Sequence, residues 1–224
     1  PHLAEDLLEY VLESENPGVR AVFVHEDDEV LVRGDELAEE IADPLGLGDE
    51  RGLVHDVPEL HPVVLRETEQ LLGEESLAYC RSLPRSVLLA GAMFVHGFPP
   101  ESVFIYLSRQ TDRRIAELFA ASPVSLYFVG HTHDLQLVRQ AEGEIVREPL
   151  AEGTVRLPEE AGHIVNAGSV GQPRDGDQRA KYLVWDSVTR LLQVLFVPYD
   201  CRITAAKIRR LGFPEAYAER LFRS

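Results

Sequence analysis

The chain has 224 residues, 45% of them hydrophobic, enough to bury a sizeable core as one domain or one domain with an appendage. Its 38 acidic and 22 basic residues leave a formal charge of −16, which argues against a nucleic-acid or anionic-membrane surface, since no stretch is basic enough to release counterions. No apolar run approaches the ~20 residues of a membrane span, and no secretory signal is expected. The two cysteines, Cys80 and Cys201, are far apart without metal-type spacing, so two free thiols in a reducing, cytoplasmic setting are expected. The chain opens on Pro1, so a processed product or a piece of a longer protein is expected as well.

Taken in chain order, apolar residues at helical spacing predict a helix over 3–12, ended by Asn16-Pro17-Gly18. Residues 20–24 (RAVFV) read as a short buried strand. The acidic, turn-rich stretch 27–57 is given one helix near 35–41, and further helices are expected over 61–72 and 74–82. Residues 87–96 have strand character broken by Gly91, the pattern of a hairpin. A loop with Pro99-Pro100 leads to an apolar piece at 103–107, an amphipathic helix over 112–121 and an apolar strand at 126–129. Alternating segments then follow at 135–139, 144–148, 163–165, 182–186 and 191–197, read as a meander, with closing helices at 203–210 and 214–222. Helices and strands alternate early and strands dominate late, which suits a two-sheet α/β sandwich.

Chemistry concentrates where strands end. Gly130-His131-Thr132-His133 follows the apolar run Leu126-Tyr127-Phe128-Val129 directly. Two histidines one residue apart at the exit of a buried strand are poor core material and good metal ligands, although a turn with one capping and one solvated imidazole fits the same letters. His96-Gly97 ends another apolar strand; a lone histidine there is more often a packed residue, and its shared placement raises it. In Asn166-Ala167-Gly168-Ser169-Val170-Gly171-Gln172-Pro173-Arg174 the backbone N–H groups can face an anion, or the segment can be an ordinary tight connection. Arg174 is a candidate phosphate contact, since guanidinium matches phosphate geometry; a solvated turn arginine is the equal alternative. Asp175-Gly176-Asp177 reads first as a turn and only weakly as a metal site, and His2, His55, His61 and His163 as surface or packing residues.

Together, FVHG, GHTH and NAGSVGQPRDGDQRAKYLVWD resemble the calcineurin-like metallophosphoesterases, nearest to the prokaryotic diadenosine-tetraphosphatase-like or protein-phosphatase-like group. The resemblance implies one calcineurin-like domain over 1–224, with an αββα two-sheet sandwich and two divalent ions (Mn²⁺, Zn²⁺ or Fe²⁺) roughly 3.5–4 Å apart. It implies that His96 and His131 bind the second ion and His133 the first, and that a metal-held hydroxide attacks phosphorus. Asn166, Ser169 and Arg174 are the substrate-binding candidates read from the residues themselves.

Two departures stand beside it. The family's Asp-x-His and Gly-Asp motifs are absent upstream, as if the first strands were missing, by truncation or by real loss. Where the family has Gly-Asn-His-Asp, this chain reads Val24-His25-Glu26-Asp27, so His25 replaces the asparagine ligand and Glu26 the leaving-group acid; Gly34-Asp35 is an alternative anchor. The expected function is metal-dependent hydrolysis of a phosphomonoester, phosphodiester or dinucleoside polyphosphate, the partner being a phosphorylated small molecule or nucleotide. The alternative is a degenerate relative that binds or regulates without turnover. Missing strands would leave a central strand at a sheet edge, so a homo-oligomer is a further expectation. Residues 26–58 and 98–111 are the expected lids.

Overall fold

The computed structural model describes residues 72–100 and 102–222, together with the backbone of two strands, β1 (Val19–Val24) and β2 (Val30–Val32). The helices expected over 3–12 and 35–41, all but the last residue of the one expected over 61–72, and the segment holding His25 and Glu26 lie outside the described residues.

Two sheets face each other. The six-stranded sheet has the order β3-β4-β5-β9-β6-β7, formed by Ser86–Leu89, Ala92–Val95, Leu126–Val129, His163–Ala167, Leu135–Ala141 and Glu144–Pro149 respectively. The five-stranded sheet runs β2-β1-β10-β11-β8, where β8 is Gly153–Arg156, β10 Ala180–Asp186 and β11 Leu191–Val197. The expected 87–96 hairpin is present: β3 and β4 pair antiparallel around Ala90-Gly91, whose φ values of 49° and 74° are those a two-residue turn of the strand-compatible hand requires.

Three strands run parallel at the centre, β4 beside β5 and β5 beside β9. All residues of β5 and β9 are buried; β5 accordingly reads as an unbroken apolar run, while β9 buries the polar His163 and Asn166 among its apolar residues. The meander expectation is corrected here. β9 inserts between β5 and β6, while β10 and β11 leave for the other sheet. Periodicity reports which face a residue takes and carries no information on which strand lies beside it.

Inward-facing residues of both sheets build the main core, among them Phe94, Phe128, Leu137 and Val165 against Leu183, Trp185, Leu192 and Val194. The other face of the six-stranded sheet (Val95, Tyr127, Val129, Val138, Ile164) is covered by helix α2 (Asp112–Ala121) through Ile115. Helix α1 (Glu74–Ser82) precedes β3, and helices α3 (Cys201–Arg210) and α4 (Glu215–Arg220) pack on each other through Ala205, Ala218 and Leu221. No described helix is long and apolar enough to cross a membrane. The sheets end on β3, β7, β2 and β8, so each strand that carries a candidate ligand has neighbours on both sides. Among the described strands the expected exposed central edge is therefore not found.

Candidate metal centre

Register sets the site. Phe94 of β4 pairs with Phe128 of β5, and Val129 with Asn166 of β9, so the carboxyl ends of three parallel strands finish at one level. Ligand sites of α/β sheets lie at that edge. The ladder continues one bond past the strands, the Gly130 N–H donating to the His96 carbonyl at 2.9 Å. His96 and His131 then meet: His96 Nε2 lies 3.0 Å from His131 Nδ1.

The chain next crosses over the end of β9 to start β6, and Asn166 carries that crossing. Asn166 is 1% exposed, and its amide donates to the Gly130 carbonyl at 3.1 Å and to Thr132 Oγ1 at 2.6 Å, while its own Oδ1 accepts from the Gly168 N–H at 3.1 Å. A buried carboxamide must find such partners, and here they shape the turn. His131 and His133 both sit at positive φ, 66° and 61°, a costly backbone state for a non-glycine residue that persists because the turn is held from below.

Partner chemistry assigns the ring protons. A carbonyl only accepts, so the 2.8 Å contact between His133 Nδ1 and the Gln172 carbonyl places the proton on Nδ1 and leaves Nε2 with a lone pair. In the same way the 3.2 Å contact of His131 Nε2 with the Phe104 carbonyl leaves Nδ1, the atom facing His96, as the basic nitrogen. An imidazole whose outer N–H is held by a backbone carbonyl is the arrangement that orients histidine ligands. Burial pulls the His133 pKa below its ordinary value; the Gln172 carbonyl opposes this, and the charges of Arg174 and His96 add to it. The ring is thereby kept neutral, as a ligand must be.

The 98–111 segment hooks back onto the histidines. Gly97 and Phe98 donate to the Ser102 and Ile105 carbonyls at 2.8 and 2.9 Å, and the Tyr106 ring stacks on His131 at 4.2 Å and 23°. Phe104, Tyr106 and Gln172 carry no sequence signal of this role, because two of them act through main-chain carbonyls and the third through a ring face.

Ser169 is buried, and its hydroxyl accepts from the Gln172 N–H at 2.9 Å. Asn166 and Ser169 are thus spent inside the turn, an arrangement that favours positioning over direct substrate contact. Arg174 is exposed, and its N–H donates to the His133 carbonyl at 3.2 Å. The Asp175-Gly176-Asp177 turn is taken up by Lys181 and Arg179. His163 is a packing residue, 2% exposed.

No family model matches the sequence. An uncharacterised protein of Methanocaldococcus jannaschii is 32% identical over 161 residues, 69% of this chain and 62% of that protein, so the chain spans under two thirds of its length. The crystal structure of a metallophosphoesterase from Sphaerobacter thermophilus is similar at 32% identity and TM-score 0.63, covering 80% of this chain and 70% of that one. A hypothetical protein of Pyrococcus horikoshii OT3 shares the fold at 20% identity and TM-score 0.55, over 74% of this chain and 61% of its own. The chain belongs to the metallophosphoesterase family, with the calcineurin-like fold.

That family implies divalent metal ions, and the donors present fit one. The 3.0 Å between His96 Nε2 and His131 Nδ1 is close to the ~3.3 Å separating two nitrogens on one tetrahedral ion. Among the described residues no group of three or more His, Cys, Asp or Glu side chains converges, so this pair is a partial ligand set.

Proposed function

We propose that this chain takes part in hydrolysis of phosphate esters, with His96 and His131 holding one divalent ion and His133 contributing to a second. Mn²⁺, Zn²⁺ or Fe²⁺ suits imidazole donors. A bound ion of this kind supplies Lewis-acid polarisation of a phosphoryl oxygen and a water acidified toward neutral pH. The observation that carries the reading is the facing pair of ring nitrogens at 3.0 Å, with the outer N–H of His131 fixed on a carbonyl.

The chain's own groups would bind and orient. Asn166 holds the turn that aims both GHTH histidines, and Tyr106 covers one face of His131. Arg174, exposed beside His133, offers a guanidinium to a phosphate oxygen, local positive charge that a chain of net charge −16 needs for an anionic substrate. The substrate class is a phosphorylated small molecule or nucleotide.

A second reading, a non-catalytic relative that binds or regulates, is favoured by the partial ligand set among the described residues. Bound metal per chain and turnover of bis-p-nitrophenyl phosphate with Mn²⁺ separate the two. Hydrolysis expects bound metal and turnover, both reduced at least about tenfold in His96→Ala and His131→Ala. One metal or none, without turnover, would establish the second reading.

A further inference from the structure

We infer that Lys181 is a positioning residue for His133, acting through the loop between β9 and β10; the inference rests on the metal-centre reading above. The Lys181 side chain is 0% exposed, and its ammonium donates to Asp175 Oδ1 at 2.6 Å and to the Asp177 carbonyl. The Phe196 ring lies 5.3 Å from it. Both oxygens it holds belong to the loop that directs His133. Gln172, three residues before Asp175, accepts the His133 Nδ1–H at 2.8 Å, and Arg174, the residue before it, donates its N–H to the His133 carbonyl at 3.2 Å.

Other tethers converge on the same loop. The Lys181 N–H donates to the Ser169 carbonyl at 3.2 Å, and the Tyr199 hydroxyl donates to the Gly171 carbonyl at 3.0 Å. Asp177 is occupied elsewhere, its carboxylate held by Arg179 at 2.6 to 3.1 Å. That leaves Asp175 to Lys181.

An apolar side chain of the same length would fill this space without taking an ammonium out of water, and such replacements of buried ion pairs are often neutral or stabilising. What an apolar chain cannot do is fix a carboxylate and a carbonyl two residues apart, and so set where Gln172 presents its oxygen. Lys181 therefore trades stability for the orientation of the His133 ring.

The test uses the full chain. Ring ¹H–¹⁵N spectra of the metal-free protein and Zn²⁺ affinity by calorimetry are compared for the parent, Lys181→Met and Asp175→Ala. The expected result is a single Nδ1–H form of His133 in the parent and a mixed form in both variants. Zn²⁺ at the ion site to which His133 contributes should bind about 10–100-fold more weakly in both. The buried His163 ring, in the same sheet, should not change, which separates a local effect from general loosening. Folded variants with an unaltered His133 signal and unaltered affinity would overturn the inference. If Lys181→Met does not fold, Asp175→Ala decides by the same readouts. If the parent binds no Zn²⁺, the metal reading fails while the ring spectra still decide the brace.

Discussion

His131 is held on three sides, by His96 Nε2 at 3.0 Å, the Phe104 carbonyl at 3.2 Å and the Tyr106 ring at 4.2 Å. The stack uses the ring of Tyr106, so Tyr106→Phe should keep metal affinity close to that of the parent. Tyr106→Ala should lower it several-fold, measured by titration with Zn²⁺. His163 gives a pH prediction. Burial pushes its pKa from 6.5 down to about 4, with the Arg190 and Arg139 charges adding and the Ala161 backbone opposing. The unfolded chain therefore takes up this proton first as the pH falls. The stability contributed by the neutral ring is complete above pH 6.5 and lost as the pH drops toward 4. The loss from this group is on the order of 3 kcal/mol at pH 4. Urea unfolding at pH 7 and pH 4.5 should show a smaller acid loss in His163→Gln than in the parent.

Among the elements, the loop after β4 shows why a glycine follows His96. A Cβ on Gly97 would lie 2.6 Å from the Ser102 carbonyl and 3.0 Å from that of Ile105, both backbone atoms that cannot swing aside. Gly97→Ala should therefore move the loop that brings Phe104 and Tyr106 to His131. The expectation is ~1–3 kcal/mol of destabilisation, typical of overpacking, with weakened metal binding in the folded fraction. Helix α2 starts at Thr111, whose hydroxyl accepts from the Arg114 N–H at 3.3 Å. Thr111→Ala should cost about 1 kcal/mol in chemical denaturation without altering metal binding. Both α1 and α2 fall where sequence periodicity put them. Two strands carried no usable signal. β8 is short and mostly exposed, and β2, three residues long, sits in an acidic stretch read as loop with one helix.

For the molecule as a whole, stability rests on the apolar layer between the sheets. Trp185 of β10 is 0% exposed, 6.2 Å from Phe128 of the opposite sheet, and opposite Arg20 of β1 and Leu192 of β11 in register. Trp185→Phe should leave a folded protein, whereas Trp185→Ala should lose ~3–5 kcal/mol, read from urea unfolding by circular dichroism. Because this is the one tryptophan of the chain, its fluorescence in the parent reports separation of the two sheets.

Metal-ligand candidates and fold class were legible from local letters. A histidine just beyond an apolar run announces a strand end, and Gly-His-x-His announces candidate ligands, whichever strands lie beside them. The neighbours were not legible. That β9 slides between β5 and β6, that Asn166 supports the histidine turn instead of facing outward, and that a buried lysine holds the loop of His133 all follow from pairings between residues distant in the chain. Such contacts depend on which apolar faces bury each other, and a one-dimensional pattern gives the face of a strand but never its partner.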